Sequence, residues 1–257
     1  MIDPRAVIDD AARIGSKVEI GPYCIIGPDV EIGDGTRIGP HVVIQGPTRI
    51  GAGNRILPFC SLGADPQDKK YDGTGESRLE IGDGNTLREF CSINRGTAGG
   101  GGVTRLGDDN WIMAYVHIAH DCLVGSHTVF ANNATLAGHV SVDDYAILGG
   151  FTGVHQFCRI GAYSFSAISS VIVKDVPPYV MVAGNTAAPS GLNREGLRRH
   201  GFDHDSINAL RRAYKTVYRD GLLLRDALQQ LQPVCAESAA VARFVEFISA
   251  SERGIVR

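Results

Sequence analysis

An apolar residue recurs at every sixth position over most of the chain. This ladder runs without a break through 8–62, resumes over 81–93 and again over 106–172, and Ser166 is its one polar member. Most members are branched aliphatic residues, and many are followed by glycine. A period of six matches neither the 3.6 residues of an α-helical turn nor the two-residue alternation of an isolated strand. A repeat of this kind is typical of a solenoid.

The six-residue period predicts a chain that coils as a triangular prism, with one short strand in each hexapeptide and three strands in each coil. Each aliphatic side chain then points inward and stacks on the one that comes three hexapeptides later. A single coil cannot bury its own apolar face, so the stacking of successive coils supplies the core. The sequence therefore predicts a mainly β fold, a parallel β-helix, although spacing alone does not set its hand.

Five of the six cysteines share one position of this repeat, two residues before a ladder residue. These five are Cys24, Cys60, Cys91, Cys122 and Cys158. Valine or threonine holds the same position in other hexapeptides, which indicates a small buried filler rather than a reactive group. No two cysteines form a C-x-x-C pair, so a thiolate zinc site is not expected.

Two insertions interrupt the ladder, near 63–80 and near 94–105. Loops that leave a regular solenoid often carry function, so both are candidates for the active site. After the ladder ends, apolar residues take helical spacing, which predicts several helices. The expected organisation is a β-helix domain over 1–190 and a helical domain over 191–257.

Charge and composition exclude several classes of function. The net charge is −3 and no long basic run occurs, so nucleic acid is not an expected partner. The chain has no apolar stretch long enough for a membrane helix, and its start lacks the features of a signal peptide. We therefore expect no membrane insertion and a cytoplasmic location.

Most of the histidines lie in the third segment of the ladder. They are His117, His120, His127, His139 and His155. The repeat places His120, Gly138 and Gln156 above one another on one edge of the predicted prism. Three interpretations of this cluster compete: surface histidines with a purely structural role, a metal site, and an acid–base site.

The acid–base interpretation accounts for more of the cluster than the other two. Histidine has a suitable pKa for taking a hydroxyl proton near neutral pH, and Asp121 follows His120 directly and can orient it. Gly138 can offer its backbone N–H to a developing oxyanion. A metal site like that of the hexapeptide-repeat carbonic anhydrases would need two histidines five apart, whereas His117 and His120 are three apart. The surface interpretation is retained for His41 and His127.

Several long strings together resemble one family, the acyl-[acyl-carrier-protein]–UDP-N-acetylglucosamine O-acyltransferases of lipid A synthesis. The strings are 1–3 (MID), 67–71 (QDKKY), 117–122 (HIAHDC), 131–144 (ANNATLAGHVSVDD), 155–158 (HQFC), 175–179 (DVPPY) and 196–201 (GLRRHG). The resemblance runs along essentially the whole chain. It implies a left-handed β-helix, no cofactor, and a homotrimer whose active sites lie between subunits.

The resemblance also implies roles for single residues. His120 would be the general base on the sugar 3-hydroxyl, Asp121 would support it, and the Gly138 amide would stabilise the thioester oxyanion. Acyl carrier protein would donate an (R)-3-hydroxyacyl group, and UDP-N-acetylglucosamine would accept it. Substrate contacts are implied for Asp68, Lys70, His117, His139, His155, Gln156, Asn193, Glu195, Arg199 and His200.

Four positions bear on specificity. The family often has arginine where this chain has His200 and histidine where it has Thr186, and the first insertion carries one extra residue near 73–76. Ile168 matches a site that lines the acyl groove, where glycine leaves the groove long. The bulk of Ile168 predicts a shorter hydroxyacyl chain.

Three alternatives remain at this stage. The related N-acyltransferase of the same pathway has an additional N-terminal uridine-binding domain, for which a ladder that begins at Ile8 leaves no room. The Gln67–Tyr71 loop and the helical C-terminal segment argue against an acetyl-CoA-dependent transferase. An inert solenoid would show regular threonine ladders and no stack of histidines.

Overall fold

The computed structural model describes residues 1–257 and shows a left-handed parallel β-helix followed by four helices. The strands are two to five residues long, and successive strands go to three different sheets, which form the three faces of a prism. Strands of one face pair in parallel across neighbouring coils. The architecture predicted from the six-residue period is therefore confirmed.

The three faces contain the following strands. The first face has β1 Val7–Ile8, β4 Ile25–Ile26, β7 Val43–Ile44, β10 Ser61–Ala64, β13 Ser92–Asn94, β16 His117–Ile118, β19 Thr135–Leu136, β22 Gly153–Val154 and β25 Val171–Ile172. The second has β2 Arg13–Ile14, β5 Val30–Ile32, β8 Thr48–Ile50, β11 Arg78–Ile81, β14 Val103–Leu106, β17 Leu123–Val124, β20 Ser141–Val142 and β23 Arg159–Ile160. The third has β3 Glu19–Ile20, β6 Arg37–Ile38, β9 Arg55–Ile56, β12 Thr86–Leu87, β15 Trp111–Ile112, β18 Val129–Phe130, β21 Ile147–Leu148, β24 Phe165–Ser166, β26 Val180–Ala183 and β27 Ala188–Leu192.

The ladder residues form the core of the prism. Apart from Ile8 and Ile14 in the first coil, all of them are buried. The five repeat cysteines are also buried, as predicted, and the Cys122 Sγ donates to the Ala137 carbonyl oxygen at 3.2 Å. Ser166, the polar member, hydrogen bonds to the Thr152 hydroxyl at 2.8 Å inside the prism.

Tight turns between the faces form three edges, named here by their side chains. The histidine edge joins the first face to the second and contains His120, Gly138 and Gln156. The tyrosine edge joins the second face to the third and contains Tyr145 and Tyr163. The phenylalanine edge joins the third face to the first and contains a stack of exposed rings: Tyr23, His41, Phe59, Phe90 and Tyr115.

The two insertions leave the prism at the histidine edge, between first-face and second-face strands. Residues 65–77 of the first insertion contain no helix or strand. The second insertion holds a single 3₁₀ turn, Ala98–Gly100, whose N-cap is Thr97. Both insertions therefore begin on the edge that carries His120.

The C-terminal part continues the third face before it becomes helical. Strand β27 pairs antiparallel with β26, and the helices are α1 Arg194–Arg199, α2 His204–Tyr218, α3 Leu224–Cys235 and α4 Ala239–Ser249. The apolar side of α2 is buried in the same core as the prism. Strand β27 crosses the predicted domain boundary at 190/191, and that boundary stays a prediction. No helix is both long enough and apolar enough to cross a membrane.

Candidate active site

The histidine edge brings His120 and Gly138 into contact on neighbouring coils. A Cβ atom on Gly138 would lie 2.6 Å from Cε1 and 2.7 Å from Nε2 of the His120 ring. The imidazole therefore occupies the space that a side chain at residue 138 would need. The Gly138 N–H donates no hydrogen bond within the chain. This N–H can therefore donate to an acceptor that binds beside the His120 ring.

Asp121 holds the His120 ring by its other nitrogen. Nδ1 of His120 lies 2.8 Å from Oδ2 of Asp121, whose side chain is fully buried. A carboxylate can only accept, so Nδ1 carries a proton, and in the neutral form of the ring the lone pair is on Nε2. Asp121 sits at a left-handed turn position, φ 59°, and its N–H donates to the Thr104 hydroxyl at 2.8 Å. The arrangement leaves Nε2 of His120 free to accept a proton.

His117 and His139 flank the His120 ring. His117 Nδ1 lies 2.8 Å from the Ser92 hydroxyl, and burial lowers the pKa of His117, so this ring is neutral near pH 7. The His139 ring packs edge-on against His120 at 5.2 Å and stacks on Phe157 at 4.5 Å. The ring nitrogens of both side chains can form hydrogen bonds, which suits the two rings to contacts with sugar hydroxyls.

No thiol nucleophile serves this site. Cys122, two residues from His120, is fully buried, and that burial raises the pKa of its thiol to about 12. One metal-capable group of side chains also occurs here: His120, Asp121 and His139. Because Oδ2 of Asp121 already accepts hydrogen bonds from His120 and from the Thr97 hydroxyl, the geometry favours acid–base chemistry over metal binding.

A cavity of about 610 Å³ opens over these histidines. Its walls include the first insertion, through Asp68 and Lys70, and the end of the histidine edge, through Gln156. The Asp68 carboxylate accepts from the Lys70 N–H at 2.9 Å, which turns the loop back at this point. The cavity therefore offers a cation, a carboxylate and further imidazole rings beside Nε2 of His120.

Comparison with known proteins decides the family. The model for "Udp N-acetylglucosamine O-acyltransferase; Domain 2" matches residues 175–256, and the bacterial transferase hexapeptide model matches 11–46 and 104–138. The acyl-[acyl-carrier-protein]–UDP-N-acetylglucosamine O-acyltransferase of Thiobacillus denitrificans is 61% identical over 100% of this chain and 99% of its own length. The chain belongs to this O-acyltransferase family.

Solved structures agree with the O-acyltransferase assignment. The UDP-N-acetylglucosamine acyltransferase of Francisella novicida has a TM-score of 0.98 and 43% identity, over 100% of this chain and 94% of its own. The O-acyltransferase of Moraxella catarrhalis has a TM-score of 0.96 and 47% identity, over 100% and 99% of the two chains. The chain is therefore an acyltransferase, and the acetyl-CoA, N-acyl and inert-solenoid alternatives are set aside.

Four predicted contact residues of the O-acyltransferase lie on a different edge. His200 packs against Tyr145 at 4.7 Å and Tyr163 at 5.4 Å, so α1 lies on the tyrosine edge. Glu195 pairs with Arg199 at 3.2 Å on the exposed side of α1. Asn193 caps α1: its Oδ1 accepts from Gly196 N–H, and its Nδ2 donates to the Tyr163 carbonyl oxygen at 2.9 Å. Within one chain these residues do not meet His120.

Two more predicted positions lie outside the cavity. His155 is exposed beside Gln156, and its Nδ1 lies 3.4 Å from the Arg253 guanidinium. Ile168 lies on the phenylalanine edge, with 70% of its surface exposed. Its Cγ1 approaches the Cβ position of Gly150 at 4.0 Å. Ile168 therefore lies on a third edge, away from the histidine edge and from the tyrosine edge.

Sequence analysis missed Thr97, which binds the Asp121 carboxylate. The Thr97 N–H donates to Oδ1 at 2.8 Å, and its hydroxyl donates to Oδ2 at 2.6 Å. The sequence pointed to Thr97 only by placing it in the second insertion. The contacts of an inserted loop do not follow the repeat, so they could not be predicted from it. Thr97 belongs to neither the ladder nor the strings that carry the O-acyltransferase resemblance.

Proposed function

We propose that His120 is the general base of an acyl transfer from acyl carrier protein to the 3-hydroxyl of UDP-N-acetylglucosamine. The observation that carries this proposal is the His120 ring in the wall of the cavity: Asp121 holds its Nδ1, and its Nε2 has no hydrogen-bond partner within the chain. The family's named substrates supply the two reactants. This is the first step of lipid A biosynthesis.

The proposed reaction needs no covalent enzyme intermediate. Nε2 of His120 takes the proton of the sugar 3-hydroxyl as that oxygen attacks the thioester carbonyl. The carbonyl oxygen becomes an oxyanion and accepts a hydrogen bond from the Gly138 N–H. Collapse breaks the carbon–sulfur bond, and the imidazolium returns its proton to the carrier's thiolate. Asp121 stabilises the imidazolium between these two steps.

Substrate binding follows from the charges around the cavity. Lys70 suits the negative charge of a diphosphate, and the Asp68 carboxylate accepts from sugar hydroxyls. His117 and His139 lie beside the base and contact the same sugar. Arg199 and His200 supply further donors for the nucleotide, but they stand on the tyrosine edge.

A homotrimer would bring the histidine edge of one subunit next to the tyrosine edge of another. In a ring with three-fold symmetry, each prism turns one edge to the axis and its two adjoining faces to its two neighbours. If the histidine edge of one subunit meets the tyrosine edge of the next, the phenylalanine edges lie at the axis. The first face of each subunit then packs on the third face of its neighbour, and each active site combines two chains.

Exposed apolar surface supports this arrangement. Outward side chains form an apolar row along the third face, in which Trp111 is exposed and the others are partly buried: Trp111, Val129, Ile147, Phe165 and Met181. On the phenylalanine edge, Phe59 is 49% exposed and Phe151 is 60% exposed. Contiguous apolar surface of this kind marks an interaction site in a soluble protein. Both surfaces become buried in the proposed trimer.

Purified protein tests the function directly. With (R)-3-hydroxyacyl carrier protein and UDP-N-acetylglucosamine, we expect release of the carrier thiol and one ester product, acylated at the sugar 3-oxygen by NMR. Acetyl-CoA should give no product. An N-acylated product, or transfer from acetyl-CoA alone, would contradict the proposal.

Ile168 is proposed to limit the length of the acyl chain. The groove between a first face and a neighbouring third face runs from the histidine edge towards the axis, where Ile168 projects. In Ile168→Gly we expect kcat/KM for a donor four carbons longer to rise about tenfold or more, since each methylene is worth roughly 0.8 kcal/mol. A series of donors of increasing chain length measures this.

The wild-type enzyme supplies the reference for that series. It should prefer a shorter donor than the variant, with an unchanged KM for UDP-N-acetylglucosamine. A wild-type preference for the longest donor would show that the groove does not end at Ile168.

A further inference from the structure

The second insertion is built around the carboxylate of Asp121. Thr97 donates both its N–H and its hydroxyl to this carboxylate, at 2.8 and 2.6 Å. The same hydroxyl accepts from the Gly100 N–H at 3.1 Å, which closes the 3₁₀ turn Ala98–Gly100. One threonine therefore ties the fold of the loop to the side chain that holds His120.

Gly100 shows how closely the loop approaches Asp121. A Cβ atom on Gly100 would lie 2.1 Å from Cγ of Asp121, a distance that no folded chain accommodates without displacement. Gly100 has no positive φ, so its lack of a side chain serves this contact rather than a backbone conformation. The loop thus covers the carboxylate, whose side chain is fully buried.

Each oxygen of Asp121 has a defined set of donors. Oδ1 accepts from the Thr97 N–H, and Oδ2 accepts from the Thr97 hydroxyl and from His120 Nδ1. His139 Nε2 lies 3.6 Å from the same Oδ2 and competes for it. Without the Thr97 hydroxyl, the carboxylate can rotate towards His139 and release the His120 ring.

We infer that Thr97 is a positioning residue, which acts on the reaction through Asp121 and fixes the orientation of the His120 imidazole. This inference rests on the proposed role of His120. A hydrogen bond to a charged group that orients a base contributes to the rate and not to ground-state binding of the sugar nucleotide. The second insertion therefore serves the catalytic step, although none of its side chains is needed to touch substrate.

Thr97→Val tests the inference, because it keeps the shape of the side chain and removes the hydroxyl. We expect kcat to fall about 10- to 100-fold, the factor that corresponds to losing a hydrogen bond to a charged group. The KM for UDP-N-acetylglucosamine should change less than about twofold. Thr97→Ser keeps the hydroxyl and should restore kcat to within about threefold of the wild type.

Thr36→Val is the matched control for loss of a buried threonine hydroxyl. Thr36 is fully buried and donates to the Gly51 carbonyl oxygen at 3.0 Å, in a turn of the tyrosine edge among the N-terminal coils. Its kcat should stay near the wild-type value. Thermal unfolding of both valine variants separates loss of folded protein from loss of turnover.

A double-mutant cycle with Asp121→Asn distinguishes positioning from a general structural effect. If Thr97 acts through Asp121, Thr97→Val should cost little further activity in the Asp121→Asn protein. Multiplicative losses in the cycle, or an unchanged kcat in folded Thr97→Val, would overturn the inference while leaving the proposed function intact. Full activity in His120→Ala would instead remove the proposed function on which the inference rests.

Discussion

His120→Ala should lower kcat about 10²- to 10⁴-fold, the range that general-base catalysis contributes. Asp121 orients the His120 ring, and Nε2 of that ring lies 2.7 Å from the position that a Cβ atom on Gly138 would take. Removing the ring leaves the sugar hydroxyl without a proton acceptor beside the oxyanion donor. Initial rates at saturating concentrations of both substrates measure the effect.

His41→Ala provides the matched control for that change. His41 lies on the phenylalanine edge among the N-terminal coils, where its ring stacks on Tyr23 at 5.1 Å and on Phe59 at 5.0 Å, away from the cavity. Its kcat should stay within about threefold of the wild type, because His41 belongs to neither the histidine edge nor the tyrosine edge. Equal losses in His41→Ala and His120→Ala, or near-normal turnover in folded His120→Ala, would contradict the assignment of the base.

Gly138→Ala should lower kcat about 10²- to 10³-fold, which is the cost of losing an oxyanion donor. The new methyl group would stand 2.6 Å from Cε1 of His120, so either the imidazole or the Gly138 backbone must move. Movement of the ring takes Nε2 from the sugar hydroxyl, and movement of the backbone takes the N–H from the oxyanion. Steady-state kinetics should show the loss in kcat, with the fold intact by circular dichroism.

Gly27→Ala offers a matched control on the same edge. Gly27 lies in a histidine-edge turn of an N-terminal coil, and its added Cβ would meet the nearest atom, the Ile44 carbonyl oxygen, at an ordinary 3.4 Å. We expect turnover close to the wild-type value. Comparable activity in Gly138→Ala and Gly27→Ala would show that the contact between Gly138 and His120 does not matter for catalysis.

The repeat explains why so much of the fold was predictable from sequence. A ladder residue fixes which side chains point inward, and the stacking of coils fixes which turns lie above one another. The contact between His120 and Gly138 follows from that register alone. The burial of Cys122 follows from the same rule, since its position in the hexapeptide is equivalent to those of other small buried residues.

Contacts that leave the repeat were not predictable in this way. Thr97 reaches Asp121 through an inserted loop, whose path depends on its own turns and not on the ladder. The placement of α1 against Tyr145 is also a contact between distant segments without periodicity. Resemblance named Asn193 and Arg199, but only the structure shows that they stand on a different edge from His120.

In the proposed trimer, each active site combines the histidine edge of one subunit with the tyrosine edge of the next. Mixing two impaired variants tests this shared site most directly. The His120→Ala and Arg199→Ala proteins are unfolded, combined in equal amounts and refolded together. The mixture is then assayed at a low concentration of UDP-N-acetylglucosamine. Random assembly of trimers pairs an intact histidine edge with an intact tyrosine edge in about a quarter of sites, so about a quarter of wild-type activity should return. Mixed trimers with no more activity than the separate variants would contradict the shared site.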